Sequence, residues 1–207
     1  MNISASYSGW IDLFGWGTGN APVKTGDNNR NYSVFTDWGG NPVINGGNMP
    51  DQWRTLKREE WMYLFHERKD YSSLFGMGTV NGIVGIIILP DDWLTPPGLF
   101  FTAGTMQGLS WQSYYYESDG NPYSDNSYSK NQWEKMEAAG AVFLPAAGYR
   151  NGTTVYSTGS GGYYWSSTQR DTGYAYGLYF VSDYLGPQGD GYRYRGRSVR
   201  LVQVLMN

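Results

Sequence analysis

The chain has 207 residues, enough for one sizeable core, and its 29 Gly, 19 Tyr and 9 Trp with only 16% charged residues describe a loop-rich globular protein rather than a helical bundle or a disordered tail. A formal charge of −3 gives no field to attract nucleic acid or an anionic membrane surface, so neither is expected as a partner. The absence of cysteine excludes disulfides, thiolate metal sites and cysteine nucleophiles together, and the single histidine, His66, can supply at most one member of a triad or zinc site.

Residues 1–50 are rich in Gly, Asn, Asp and Thr. A short apolar core at Trp10-Ile11-Asp12-Leu13-Phe14 predicts one strand, followed by long ordered loops with turns at Asp27-Asn28-Asn29 and Asn45-Gly46-Gly47. Met1-Asn2-Ile3-Ser4-Ala5-Ser6 has neither the basic start nor the apolar stretch of a signal peptide. Gly15, Gly17 and Gly19 imitate a phosphate-binding loop, but Asn20-Ala21-Pro22 stands where its helix should begin. In residues 54–69, Trp61, Leu64 and Phe65 fall at i, i+3 and i+4 and predict a surface helix with one buried stripe. Thr55 is its expected cap; Glu59, Glu60, Glu67, Arg68 and His66 are expected on its wet side. Adjacent positions on a helix point about 100° apart, so Glu59 and Glu60 do not make a glycosidase pair.

Residues 83–89 are β-branched and bounded by Asn81-Gly82 and Pro90, the pattern of a central strand covered on both faces. No run approaches the roughly eighteen apolar residues that span a bilayer, and no membrane insertion is expected. Ser129-Lys130-Asn131-Gln132 reads as a capping box opening a second helix, with Trp133 and Met136 on its apolar face and Gly140 at its left-handed stop. Strands are then predicted at 141–145, 163–167, 175–181 and 197–205, so the later half is mostly antiparallel sheet. Arg193, Arg195, Arg197 and Arg200 fit the alternating faces of one strand. The whole reads as a single α+β domain, residues 1–207, with two helices packed on antiparallel sheet and long ordered loops.

The window 161–200 carries eight of the nineteen tyrosines, among Gly, Asp, Arg and Gln. Tyrosine offers a wide amphipathic face with two torsions to freeze, and binding loops combine it with Ser, Gly and small polar residues. The same composition also suits an ordinary β-meander whose aromatics are half-buried strand residues.

Trp53-Arg54-Thr55-Leu56 leading to Glu60-Trp61-x-x-Leu64, Gly82-x-x-Gly85 with Leu89-Pro90-x-x-Trp93, the run Phe143-Leu144-Pro145-Ala146-Ala147-Gly148-Tyr149-Arg150, Gly162-Tyr163-Tyr164-Trp165-Ser166-Ser167, and Gly196-x-Ser198-Val199-Arg200 occur in order. Together they resemble the Fibrobacter succinogenes major paralogous domain family, common in Bacteroides and their phages. The resemblance spans roughly residues 10–205 and implies a C-type-lectin-like fold of the formylglycine-generating-enzyme variety. That fold class includes the variable proteins of diversity-generating retroelements, whose carboxy-terminal segment is rewritten at template adenines while the scaffold stays fixed. Residues 161–200 look like such a variable region. Asparagine-type template codons mutated at adenine yield Tyr, Asp, Gly, Ser, Val and Arg, and no Asn or Lys occurs between Gly152 and Met206.

The resemblance implies that Trp165, Ser166, Ser167, Gly196, Ser198 and Val199 are scaffold and that the residues between them meet the ligand. By side-chain type and spacing, the ligand-facing set is Arg170, Asp171, Tyr174, Tyr176, Tyr179, Asp183, Tyr184, Asp190, Tyr192 and Tyr194. Alternation turns Tyr179 and Gly177 outward if Leu178 and Phe180 point into the core, and gives Tyr176 the inward face. Formylglycine-generating activity needs cysteines that this chain lacks. Asn41-Pro42-Val43 and Asn121-Pro122-Tyr123 lack the acidic neighbours of a calcium-dependent lectin site, and Asp91-Asp92 reads as a solvated turn rather than a partial calcium site. The expectation is a non-enzymatic binding protein with no cofactor and no metal, taking a protein or glycan ligand at a bacterial surface or on a phage virion. A structural pilus, surface or virion module with a fixed subunit interface, and an invariant glycan-binding module, are the rival readings.

Overall fold

The computed structural model describes residues 15–18, 35–42, 49–108, 114–117, 121–152 and 154–204. The strand expected at 10–14 and the turns at 27–29 and 45–47 lie outside them. In chain order the elements are β1 (Trp53–Thr55), α1 (Arg58–Met62), β2 (Phe75–Val80), β3 (Ile83–Ile88), β4 (Thr105–Gly108), β5 (Tyr114–Glu117), β6 (Ser127–Tyr128), α2 (Lys130–Ala138), β7 (Val142–Pro145), β8 (Tyr149–Asn151), β9 (Thr154–Tyr156), β10 (Gly161–Gln169), β11 (Tyr174–Val181), β12 (Tyr184–Tyr192) and β13 (Leu201–Gln203). The fold is α+β, as the sequence predicts.

Two sheets carry it, one in the order β10-β11-β12-β5-β4 and one in the order β6-β2-β3-β7. β3 lies inside the second sheet, as the β-branched run predicts. Its Ile86 and Ile88 face a core shared with Phe75, Met77 and Leu144, with Trp61 and Phe65 beside α1, and with Tyr164, Leu178, Phe180 and Leu185 from the first sheet. Ile87 and Leu89 face the opposite side, where Met136 of α2 closes a second cluster with Tyr128 and Ala141. A strand buried on both faces gains from apolar side chains at every position, which is why this run does not alternate.

The α2 helix forms where the capping box places it. The Gln132 side chain accepts from the Ser129 N–H at 2.9 Å, the Gln132 N–H donates to the Ser129 hydroxyl, and Gly140 adopts φ 96° beyond the last turn. Ser129→Ala is expected to lower unfolding stability by about 1 kcal/mol, read as a fall in Tm of roughly 2–4 °C in a thermal melt.

The first helix departs from its prediction. Thr55 is not its cap: it pairs with Leu201 across β1 and β13, and its N–H and hydroxyl both donate to the Asp37 carboxylate at 3.0 Å. The helix starts three residues later, at Arg58, and after Met62 it widens into a π turn over Tyr63–Glu67. Glu60 accepts from the Lys57 N–H at 2.7 Å and from both terminal nitrogens of Arg54 at 2.6 and 2.5 Å. These bonds, to Arg54 above all, hold its carboxyl below its ordinary value against the opposing effect of partial burial. Because the folded value lies below the unfolded one, the stabilisation is present at neutral pH and is lost as pH falls from the ordinary glutamate range through the lower folded value. Glu60→Gln is therefore expected to flatten the acid limb of stability against pH in denaturant titrations.

Arg68, expected on the wet side, is only 4% exposed. Its guanidinium donates to the carbonyls of Leu64, Leu74 and Leu89 at 2.8–3.1 Å and pairs with Asp91 at 3.1 Å, tying the end of the helix to both edges of the β2–β3 hairpin. Asp91 also accepts from the Tyr63 hydroxyl at 3.1 Å, so it is engaged by protein groups. His66 is half-buried beside the Tyr71 ring.

Candidate functional site

β11 is the regular strand on which the tyrosine window is built. Its neighbours are not regular: the β10 register slips between Trp165 and Gln169, and β12 inserts an extra residue between the partners of Gly177 and Tyr179, opposite Leu178. Along β11 the even positions share the face of α1. Leu178 and Phe180 are fully buried there, whereas Tyr174 and Tyr176, nearer the start of the strand, are half-buried. The odd positions share the other face, where Ala175 is buried with Trp165 and Trp16 and Tyr179 and Val181 are half-buried. Each face is thus covered over one half of the strand and open over the other. The tyrosines divide between the two faces, with Tyr174 and Tyr176 beside the helix and Tyr179 and Tyr184 opposite, the separation of Tyr176 from Tyr179 that alternation predicts.

The two halves are joined by stacked rings. Tyr184 meets Tyr179 at 5.4 Å between centroids, Tyr179 stacks on Tyr163 at 4.7 Å, and Tyr163 meets Tyr149 edge-on at 4.7 Å with Tyr156 stacked behind it. On the helix side Tyr174 meets Tyr192 at 4.5 Å and Tyr192 stacks on Tyr194 at 5.1 Å. Arg195 connects the halves, its guanidinium carbon 5.0 Å from the Tyr149 centroid and 5.1 Å from that of Tyr192. Burial, then the neighbouring Tyr163, pushes the Tyr179 phenol above its ordinary value, so it remains a neutral donor across the physiological range.

None of the ten predicted residues is buried. Arg170 lies over the Tyr174 ring at 5.4 Å and is ion-paired with Asp190, which the register places opposite Tyr176. Tyr176 lies under the Arg58 guanidinium at 4.9 Å, and Arg58 also donates to Gln188. Asp171 accepts from the N–H groups of Gly173 and Tyr174 at 2.7 and 2.9 Å, so one of its oxygens shapes the turn into β11. Asp183 is exposed in the β11–β12 turn, remote in register from Tyr174 and Tyr192. Asp183 stands at the Tyr179 and Tyr184 end of the hairpin, close enough to the Tyr179 phenol to add to its upward shift, and away from Tyr174 and Tyr192.

Sequence reasoning missed Tyr149, Tyr156, Tyr163 and Arg195. Tyr149 and Tyr156 come from the β8–β9 hairpin, brought to the window by the pairing of Arg150 with Gly196. The arginine run is also corrected: 193–200 is a turn followed by isolated bridges, not a strand. Arg193 and Arg197 turn inward over Trp16 and Trp165 at 4.4 and 4.3 Å, and a Cβ at Gly191 would collide with the Arg197 guanidinium. Tyr164, the eighth tyrosine of the window, is core, its hydroxyl donating to the Pro145 carbonyl at 2.7 Å.

The residues implied to be scaffold are the ones tied into the frame. Ser166 is fully buried and donates to the Tyr176 carbonyl at 2.8 Å, the Ser167 N–H donates to the Leu56 carbonyl at 2.8 Å, the Trp165 N–H donates to the Ser198 carbonyl at 2.9 Å, and the Ser198 N–H donates to the Tyr163 carbonyl at 3.0 Å. Elsewhere, a groove of about 520 Å³ lies between α1, β7 and the β1–β13 pair. Among the described residues no cluster of three or more His, Asp and Glu side chains could hold a metal ion, and no helix is long and apolar enough to cross a membrane.

Fold and surface thus define an α+β protein with a tyrosine and arginine surface built from β10–β12, the turn after β12 and the β8–β9 hairpin. Residues 112–202 match a family described as Domain of unknown function (DUF8237), a match that covers the whole tyrosine window. No curated protein and no solved structure matches the chain.

Proposed function

We propose that this is a non-enzymatic ligand-binding protein with a C-type-lectin-like scaffold, a retroelement-diversified variable protein of a bacterial surface or phage virion. The observation that carries the reading is the division of labour within residues 161–200. Buried positions such as Trp165, Ser166, Leu178, Phe180 and Arg197 hold the frame, while the half-buried tyrosines between them form one connected surface. Stacked rings lose little side-chain freedom on binding and expose both an apolar body and a hydroxyl, the chemistry of an adaptable binding surface. The pairing of β1 with β13 uses none of those tyrosines, so they can change without breaking that pairing.

Sequencing this locus across isolates tests the proposal. Substitutions are expected to concentrate at 170, 171, 174, 176, 179, 184, 190, 192 and 194, to match adenines of a nearby imperfect repeat, and to leave Trp165, Gly177 and Arg197 unchanged. A window as invariant as the core, with no repeat, would replace this reading with a fixed subunit interface.

A further inference from the structure

Arg195 and Arg197 stand at the centre of the tyrosine surface without a counter-ion. Arg197 is 2% exposed; one terminal nitrogen donates to the Asp190 carbonyl at 2.9 Å, and its Nε and other terminal nitrogen have no partner. Arg195 lies between two tyrosine rings, and its Nε also has no partner. No carboxylate among the described residues comes within ion-pair distance of either guanidinium. The neighbouring acids are already engaged: Asp190 pairs with Arg170, and Asp171 holds its turn and lies 3.9 Å from Arg170.

A buried charge is normally matched within the fold, because removing it from water without a partner is costly. Stacking on Trp165 and Tyr163 offsets part of that cost for Arg197, yet burial, with Arg195 adding to it, still pushes its guanidinium down to about 10. Two adjacent cations in a protein of net charge −3 leave a local field that an anion would relieve. The Tyr149 and Tyr192 rings, each about 5 Å from its guanidinium carbon, restrain Arg195, whose planar terminal N–H groups suit a bidentate acceptor.

We propose that Arg195, supported by Arg197, receives a carboxylate from an acidic protein partner whose flanking residues lie on Tyr149, Tyr163, Tyr174 and Tyr192. The inference rests on the binding reading above and names the partner's chemistry. A protein fits better than a single sugar because the surface extends over both faces of β10–β12 and adds the β8–β9 hairpin, a breadth suited to many contacts around one central charge.

Panning a random peptide display library against the intact protein tests it, with Arg195→Gln, Arg195→Lys and Tyr192→Ala as comparison proteins whose melting temperatures are measured first. Enriched peptides are expected to carry Asp or Glu, to lose about tenfold or more in affinity on Arg195→Gln, and to be only partly restored by Arg195→Lys, which keeps the charge but not the planar fork. Raising salt should weaken the wild type more than Arg195→Gln. Peptides that lose binding on Tyr192→Ala yet carry no acid, or are indifferent to Arg195→Gln, would overturn the carboxylate inference and leave the tyrosine surface standing. Peptides indifferent to both changes would remove the binding reading as well. No enrichment, or binding confined to acidic sugars on a glycan array, would equally overturn the acidic protein partner.

Discussion

Tyr192→Ala is expected to weaken binding of peptides selected on the wild type by about 2 kcal/mol or more, roughly thirtyfold in Kd, while changing unfolding stability by less than about 1 kcal/mol. Tyr192 is the junction of the surface. Its ring contacts Tyr174, Tyr194 and Arg195, so removing it loosens three neighbours as well as its own contact area. Only half-buried, it supports no part of the core. Surface plasmon resonance paired with a thermal melt separates the two effects. A loss of affinity matched by a large fall in Tm would mean that Tyr192 is a packing residue. Tyr174→Ala should act in the same direction, less strongly, because its ring keeps Tyr192 in place from one side only.

Trp165→Ala is expected to have the largest effect on the fold, roughly 3–5 kcal/mol of unfolding stability, or a fall in Tm of roughly 6–20 °C for a chain of this length. Trp165 is 2% exposed and packs with Trp16 and Ala175. It also supplies the ring on which the buried Arg197 guanidinium lies at 4.3 Å, so its loss leaves both a cavity and a charge without its aromatic cover. Chemical denaturation checks the magnitude. Trp165→Phe, which keeps a ring in the space, should recover a substantial part of the loss; no recovery would mean that the arginine contact contributes little.

Short-range signals were readable where a local reason sufficed. Ser129 with Gln132 marks a helix start because two side chains satisfy two free N–H groups within one turn, and Gly140 marks its end because the left-handed conformation disfavours a Cβ. The run at 83–89 reads as a doubly covered strand from its composition alone. Thr55 failed by the same logic: its side chain is a good cap, but Asp37 and the pairing with Leu201 hold it in β1. Arg68 failed because three carbonyls from different segments converge on it, which no periodicity announces.

The binding surface divides in the same way. Residue type and alternation in the chain were enough to mark tyrosines 174 to 194 as candidate contacts and to separate Tyr176 from Tyr179 by face. Which half of each face stays open depends on what lies over it: α1 and its apolar stripe above Leu178 and Phe180, and the Trp16 and Trp165 cluster above Ala175. Apart from Trp165, those covers come from segments more than a hundred residues upstream, as does the side chain of Arg58 over Tyr176. Arg195 became the link between the two halves only because the pairing of Arg150 with Gly196 brings Tyr149 beside it. Local preference sets which atoms a segment can offer, whereas burial by distant segments sets which of them remain available, and that is a property of the packed chain.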